Sequence, residues 1–224
     1  MAKRIQLSER LLPCYSNGEE IMNMVSHIVG GGLGILVLVL CVLKAAFHRQ
    51  ISAIVGCSIY GFSMIVLYTM SSVYHGLRPC MGKKVMQVLD HCTIYFLIAG
   101  TYTGILLSAF IHTYPLLVWG LLVFEWAVSA LAATLTAIDL KKYSVFSMLC
   151  YIVTGWAVIP FWRQTIHVLT KPGFLLLLLG GIAYTIGAVL YGIGAKKKWM
   201  HSVFHIFVVL GSLLQFLSIF LYAI

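Results

Sequence analysis

Long apolar runs, each about the length of a membrane crossing, alternate along this chain with short stretches that hold most of its charged residues. A helix needs about 20 predominantly apolar residues to span the hydrocarbon. Divided at the charge clusters and turn residues, the pattern predicts seven helices, at roughly 21–45, 51–76, 86–110, 115–137, 144–162, 173–194 and 200–224. Residues 1–20 remain as a short N-terminal segment ahead of one helical domain, 21–224. That segment contains Lys3, Arg4, Glu9, Arg10, Glu19 and Glu20 but no apolar core of signal-peptide length, so nothing in it reads as cleavable. Pro160, near the end of the fifth run, reads as a kink or a stop.

Composition agrees with the pattern: 61% of residues are apolar and 9% are charged, which excludes an ordinary soluble domain. The expected fold is an all-α, multi-pass membrane protein of the plasma membrane. Lys and Arg are retained on the cytoplasmic side of short loops. With the N-terminus inside, eleven of the fifteen basic residues fall on that face: Lys3, Arg4, Arg10, Arg78, Lys83, Lys84, Lys141, Lys142, Lys196, Lys197 and Lys198. Lys44, Arg49, Arg163 and Lys171 fall on the other. The expected arrangement is therefore N-terminus cytoplasmic and C-terminus outside. The net charge of +9 then reads as topology and as contact with anionic membrane lipids, and nothing in the pattern suggests nucleic acid.

Candidate chemistry lies among the polar residues inside the apolar runs, because ionisable groups at membrane depth are costly and face a bundle interior or a watery cavity. The expected topology brings one set of them to a single face. Ser71 and His75 end helix 2, Asp90 and His91 begin helix 3, and His201 and His205 begin helix 7. Glu20, Asn23 and His27 form one stripe on helix 1 and are expected to brace it against this layer. Residues four apart stack on one helix face, so His201 and His205 can grip one ion from one side while Ser71 lies over His75. Three imidazoles with one open position describe a hydrolytic zinc site, with Asp90 beside it. The alternative is a histidine–aspartate hydrogen-bond cluster that staples helices 2, 3 and 7.

Other signals are weaker. The six cysteines contain no C-x-x-C pair and read as small packing residues. Gly100 and Gly104 form a G-x-x-x-G suited to close helix packing. Glu125, mid-span in helix 4, is expected to be protonated or bound to a polar neighbour, with a proton or ion relay as a further reading. His48, His112 and His167 fall at expected outer loops.

Ser71-x-x-x-His75, Leu89-Asp90-His91 with Ala99-Gly100-Thr101-Tyr102, and His201-Ser-Val-Phe-His205-Ile-Phe together resemble the hemolysin III family, within the progestin and adipoQ receptors. The resemblance covers nearly the whole chain. It implies a Zn²⁺ ion bound by His75, His201 and His205, with Asp90 and Ser71 holding a water at the metal. It also implies the N-in, C-out arrangement reached from the Lys and Arg positions. Gly104 departs from the family pattern, which continues with Pro, and suggests a straighter helix 3 just beyond the site. Gln215 departs at a position where relatives carry an aromatic or histidine side chain.

A zinc ion on three neutral histidines lowers the pKa of water from about 15.7 to about 7. Asp90 and Ser71 are then the expected catalytic residues, as proton acceptor and as orienting or oxyanion-binding hydroxyl. A membrane-embedded site selects amphiphiles, so the expected substrate is a small amphiphilic lipid with a long-chain amide or ester, as in a ceramidase. Two other classes stay open: a receptor or membrane-homeostasis regulator with structural zinc, and a cytolytic, pore-forming protein.

Overall fold

The computed structural model describes residues 6–194 and 197–224, so Lys3, Arg4 and Lys196 of the charge argument lie outside the described residues. Every regular element among the described residues is helical. They are α1 (Asn17–Phe47), α2 (Ile51–Gly76), α3 (Met81–Ile105), α4 (Pro115–Ile138), α5 (Ser144–Gly155), α6 (Trp162–Gly194) and α7 (Met200–Tyr222).

The N-terminal boundaries follow local hydrogen bonding more than hydropathy. α1 begins four residues earlier than its apolar run because Ser16 and Glu19 form a capping box, with Ser16 Oγ accepting from the Glu19 amide and the Glu19 carboxylate accepting from the Ser16 amide. α3 likewise starts at Met81, ahead of the expected 86, because Cys80 Sγ accepts the Lys83 amide at its N-terminus. α3 does not run straight beyond Gly104: it widens into a π turn at Leu106–Phe110. His167, expected in an outer loop, lies inside α6, where its Nδ1 accepts from the Tyr114 hydroxyl at 3.1 Å.

Among the described residues, six helical stretches are long and apolar enough to cross a membrane, where the sequence pattern predicts seven. The difference lies in residues 144–194. The expected fifth span is a helix of 12 residues, about 18 Å long, short of the roughly 30 Å of hydrocarbon. It stops at Gly155, and a 3-10 turn at Ile159–Phe161 carries Pro160. α6 is itself interrupted at Thr170, whose φ of 61° and ψ of 171° leave the helical region just before Lys171-Pro172.

α1 with α2, α2 with α3, and α6 with α7 are the closest neighbours. The G-x-x-x-G face of α3 lies against α2: a Cβ on Gly100 would sit 2.7 Å from Ser63 Cβ, and one on Gly104 would sit 3.0 Å from Tyr60 Cβ. Ser212 of α7 takes the hydroxyls of Tyr68 and Tyr184 at 2.6 and 2.7 Å, tying α2, α6 and α7 through the middle of the bundle. At one end, Lys44 of α1 bonds the Phe220 carbonyl of α7, and Ser218 Oγ donates to the Gly173 carbonyl at 2.8 Å. The N-terminal turns of α1, α3 and α7 and the C-terminal turns of α2 and α6 gather at the other end. The candidate site is there.

Candidate metal centre

His75, His201 and His205 meet at that end, all buried, with one ring nitrogen from each lying within 4.8 Å of the others. Ring centroids are 5.4 Å apart for His75 and His201, 4.9 Å for His75 and His205, and 4.7 Å for His201 and His205.

The first two turns of α1 hold this group from behind. Glu20 Oε2 lies 2.7 Å from His75 Nδ1, so that nitrogen donates to the carboxylate and Nε2 keeps its lone pair. The other oxygen, Oε1, accepts from Lys83 Nζ at 2.6 Å, and Lys83 also donates to the Leu77 carbonyl at 2.9 Å. His205 Nδ1 donates to the Asn23 carbonyl at 3.3 Å, leaving its Nε2 free in the same way. Glu19 Oε1 accepts the Trp199 amide at 2.7 Å, fixing the residue that precedes α7, where the backbone takes the left-handed φ of 67°. One short stretch of α1 thus positions both histidine-bearing elements.

A metal ion fits this arrangement. His75 Nε2 is buried with no hydrogen-bond partner. The His205 and His201 Nε2 atoms face one another at 3.1 Å, and on His205 that nitrogen is the unprotonated one. Tetrahedral zinc ligands at 2.0–2.1 Å lie about 3.3 Å from each other, near the 3.1 Å between His201 and His205 and inside the 4.8 Å that bounds all three nitrogens. Neutral imidazoles with Nδ1–H committed to a carboxylate and a carbonyl are the form in which histidine binds metal.

Ser71 is buried one turn before His75. Asp90 of α3 lies beside it and within electrostatic reach of His75. Ser71 and Asp90 line, together with His201 and His205, a cavity of about 180 Å³ whose walls are mainly apolar. The cavity runs from the histidines past Ile94 and Thr101 to Trp156 and Gln215. All five site residues expected from the sequence therefore converge.

The flanking residues divide. His27 stacks on His205 with ring centroids 3.8 Å apart and meets Tyr68 edge-on, while both of its nitrogens lack partners. His91 does not orient Asp90 through a hydrogen bond: its Nδ1 donates to the Gln87 carbonyl at 2.8 Å and its Nε2 accepts from Tyr191 at 3.2 Å. Tyr15 covers the group, stacked on His201 at 4.9 Å, and burial pushes its phenol pKa up. Sequence reasoning missed Tyr15, the pairing of Glu19 with Trp199, and the role of Lys83. The capping pattern Ser16-Asn-Gly-Glu19 was the available signal for an earlier helix start.

Fold and site together define a multi-pass membrane protein with a buried three-histidine group that can hold a metal ion. The haemolysin-III related family model matches residues 15–216, and the chain belongs to that family. It is 35% identical to Hemolysin-3 of Bacillus cereus over 206 residues, covering 92% of each chain. It is 34% identical to the Hemolysin-3 homolog of Bacillus subtilis (strain 168), over 92% of this chain and 95% of that one. A more distant relative is the human monocyte to macrophage differentiation factor, 24% identical over 175 residues, 73% of this chain and 68% of that protein.

Proposed function

We propose that this protein is a zinc-dependent hydrolase of a membrane lipid carrying a long-chain amide or ester. The observation that carries the reading is the convergence of the buried Ser71 hydroxyl and the neighbouring Asp90 carboxyl on the same apolar-walled cavity as two of the three histidines. A structural clamp needs no such cavity.

His75, His201 and His205 would hold the ion, with Glu20 and the Asn23 carbonyl fixing two of the rings. When bound, zinc supplies Lewis-acid chemistry that activates water and polarises a carbonyl near neutral pH. Ser71 Oγ donates to the oxygen of the substrate carbonyl as negative charge develops there. Asp90 takes the proton of the attacking water and returns it to the leaving amine or alcohol. The apolar stretch toward Trp156 and Gln215 takes the acyl chain and keeps water from it.

The reading includes a seven-pass arrangement with the N-terminus and the site on the cytoplasmic side. In support, Ser144 and Ser147 border the site cavity while His167 meets Tyr114 at the N-terminus of α4, so residues 144–169 connect opposite ends of the bundle. They do so in three pieces, α5, the 3-10 turn and the first turns of α6.

Purified protein in liposomes containing a panel of labelled ceramides and acyl esters provides the test. Wild type releases fatty acid, and Asp90→Asn keeps its zinc but loses release by about 100-fold or more. Equal release by the variant removes Asp90 as the proton acceptor, and a zinc-loaded wild type inactive on every lipid favours a structural role for the site. The relatives named Hemolysin-3 raise membrane lysis as a second property, which the proposal traces to altered lipids. Dye release from liposomes should then be lost in His75→Ala, and an unchanged leak would separate lysis from the site.

A further inference from the structure

The hydrolytic reading leaves one buried acid unused. Glu125 stands about 15 Å along α4, near the middle of a membrane crossing. It is 0% exposed, and neither carboxyl oxygen has a hydrogen-bond partner. No charged side chain among the described residues acts on it. An ionised carboxylate in that setting lacks both solvent and a counter-charge, a cost of several kcal/mol.

A second observation comes from the neighbouring elements. α5 packs back along α4, with Ser147 on Thr136 and Cys150 against Ala132, so that it ends toward the level of Glu125, and Tyr102 of α3 bridges the break. Its hydroxyl accepts the Val158 amide at 2.9 Å and donates to the Gly155 carbonyl at 3.3 Å. Tyr102 is also the titratable group that faces Glu125. Against it lies a small cavity of about 30 Å³, bordered by Thr101, Gly155, Trp156 and Gln215. That volume suffices for one water, and the wall supplies the polar partners a water needs. The same residues, with Tyr102, also border the larger cavity. Interrupted helices next to a buried acid are where membrane proteins place ion and proton sites.

We propose that Glu125 is a proton-binding site, a neutral carboxylic acid held at mid-membrane beside the α5 break and separate from the three-histidine group. The proton enters as a carboxylate oxygen takes it from water, and leaves to water by the reverse step.

The test uses the full-length protein reconstituted in liposomes at neutral pH. The infrared difference spectrum between wild type and Glu125→Gln should contain the carbonyl stretch of an un-ionised carboxyl, shifted in deuterium oxide, while zinc content is the same in both proteins. A difference spectrum showing only carboxylate bands, whether or not sodium or potassium alters them, overturns the proposal in favour of an ion-binding carboxylate. Should the variant fold poorly, wild type alone decides the matter with a lipid-soluble carbodiimide. The acid O–H adds across the N=C=N group and the O-acylisourea rearranges to a stable N-acylurea, a reaction that requires the protonated form. Peptide mapping should find the adduct on Glu125, and its absence from Glu125 overturns the proposal.

Discussion

Glu20 illustrates how much of this site rests on single polar contacts. One carboxylate oxygen holds His75 at 2.7 Å and the other holds Lys83 at 2.6 Å, so three helices meet on one side chain. Replacing an outer hydrogen-bond partner of a ligating histidine costs roughly 10–100-fold in metal affinity. Glu20→Gln should therefore weaken zinc binding by that amount in competition with a calibrated chelator, and an unchanged affinity would show that His75 is oriented by packing alone. Lys83 is only 2% exposed, so Lys83→Met leaves the Glu20 carboxylate without its cation and should lower affinity in the same direction. The three histidines were legible as one cluster in the sequence because i, i+4 spacing and membrane depth are local properties. Their partners were legible only as a stripe on helix 1, without the ring each would meet. Glu20 and His75 are 55 residues apart, and no periodicity says that the carboxylate of one helix meets the imidazole of the next. Tyr15 was equally hidden, since an aromatic residue ahead of an apolar run carries no signal of the ring it will cover.

At the scale of elements, hydropathy located five of the seven expected segments to within five residues and failed between residues 155 and 173, where backbone chemistry decides. Pro160 marked the irregular region correctly, but the pattern could not say that α5 would stop at Gly155 and continue as a turn, because apolar composition is the same in a helix and in the break that follows it. Close packing between elements gives a sharper prediction. Gly100→Ala drives a methyl to 2.7 Å from Ser63 Cβ in the α2–α3 interface and should destabilise the protein by about 1–3 kcal/mol, seen as a lower thermal midpoint in detergent. Gly120→Ala in α4 meets nothing within 4 Å and should leave stability unchanged or raise it by up to about 1 kcal/mol, with a midpoint no lower than that of wild type. Equal effects would mean that the α2–α3 approach is looser than described.

For the whole molecule, the Lys and Arg distribution and the helix ends lead to one picture, a bundle with its site at the end where α1, α3 and α7 begin. Reporter fusions after Gly194 and after Ile224 should fall on opposite sides of the membrane, with the C-terminus outside, and both on one side would contradict the proposed arrangement. The account as a whole turns on the metal. Three buried imidazole nitrogens lie within 4.8 Å, two of them on rings fixed through Nδ1, an arrangement that can hold a metal ion. Elemental analysis of protein purified without added chelator measures this directly. The account predicts about one zinc per chain, retained in Asp90→Asn and lost in His75→Ala and His201→Ala; a wild-type protein without zinc, or histidine variants that keep it, would contradict the account.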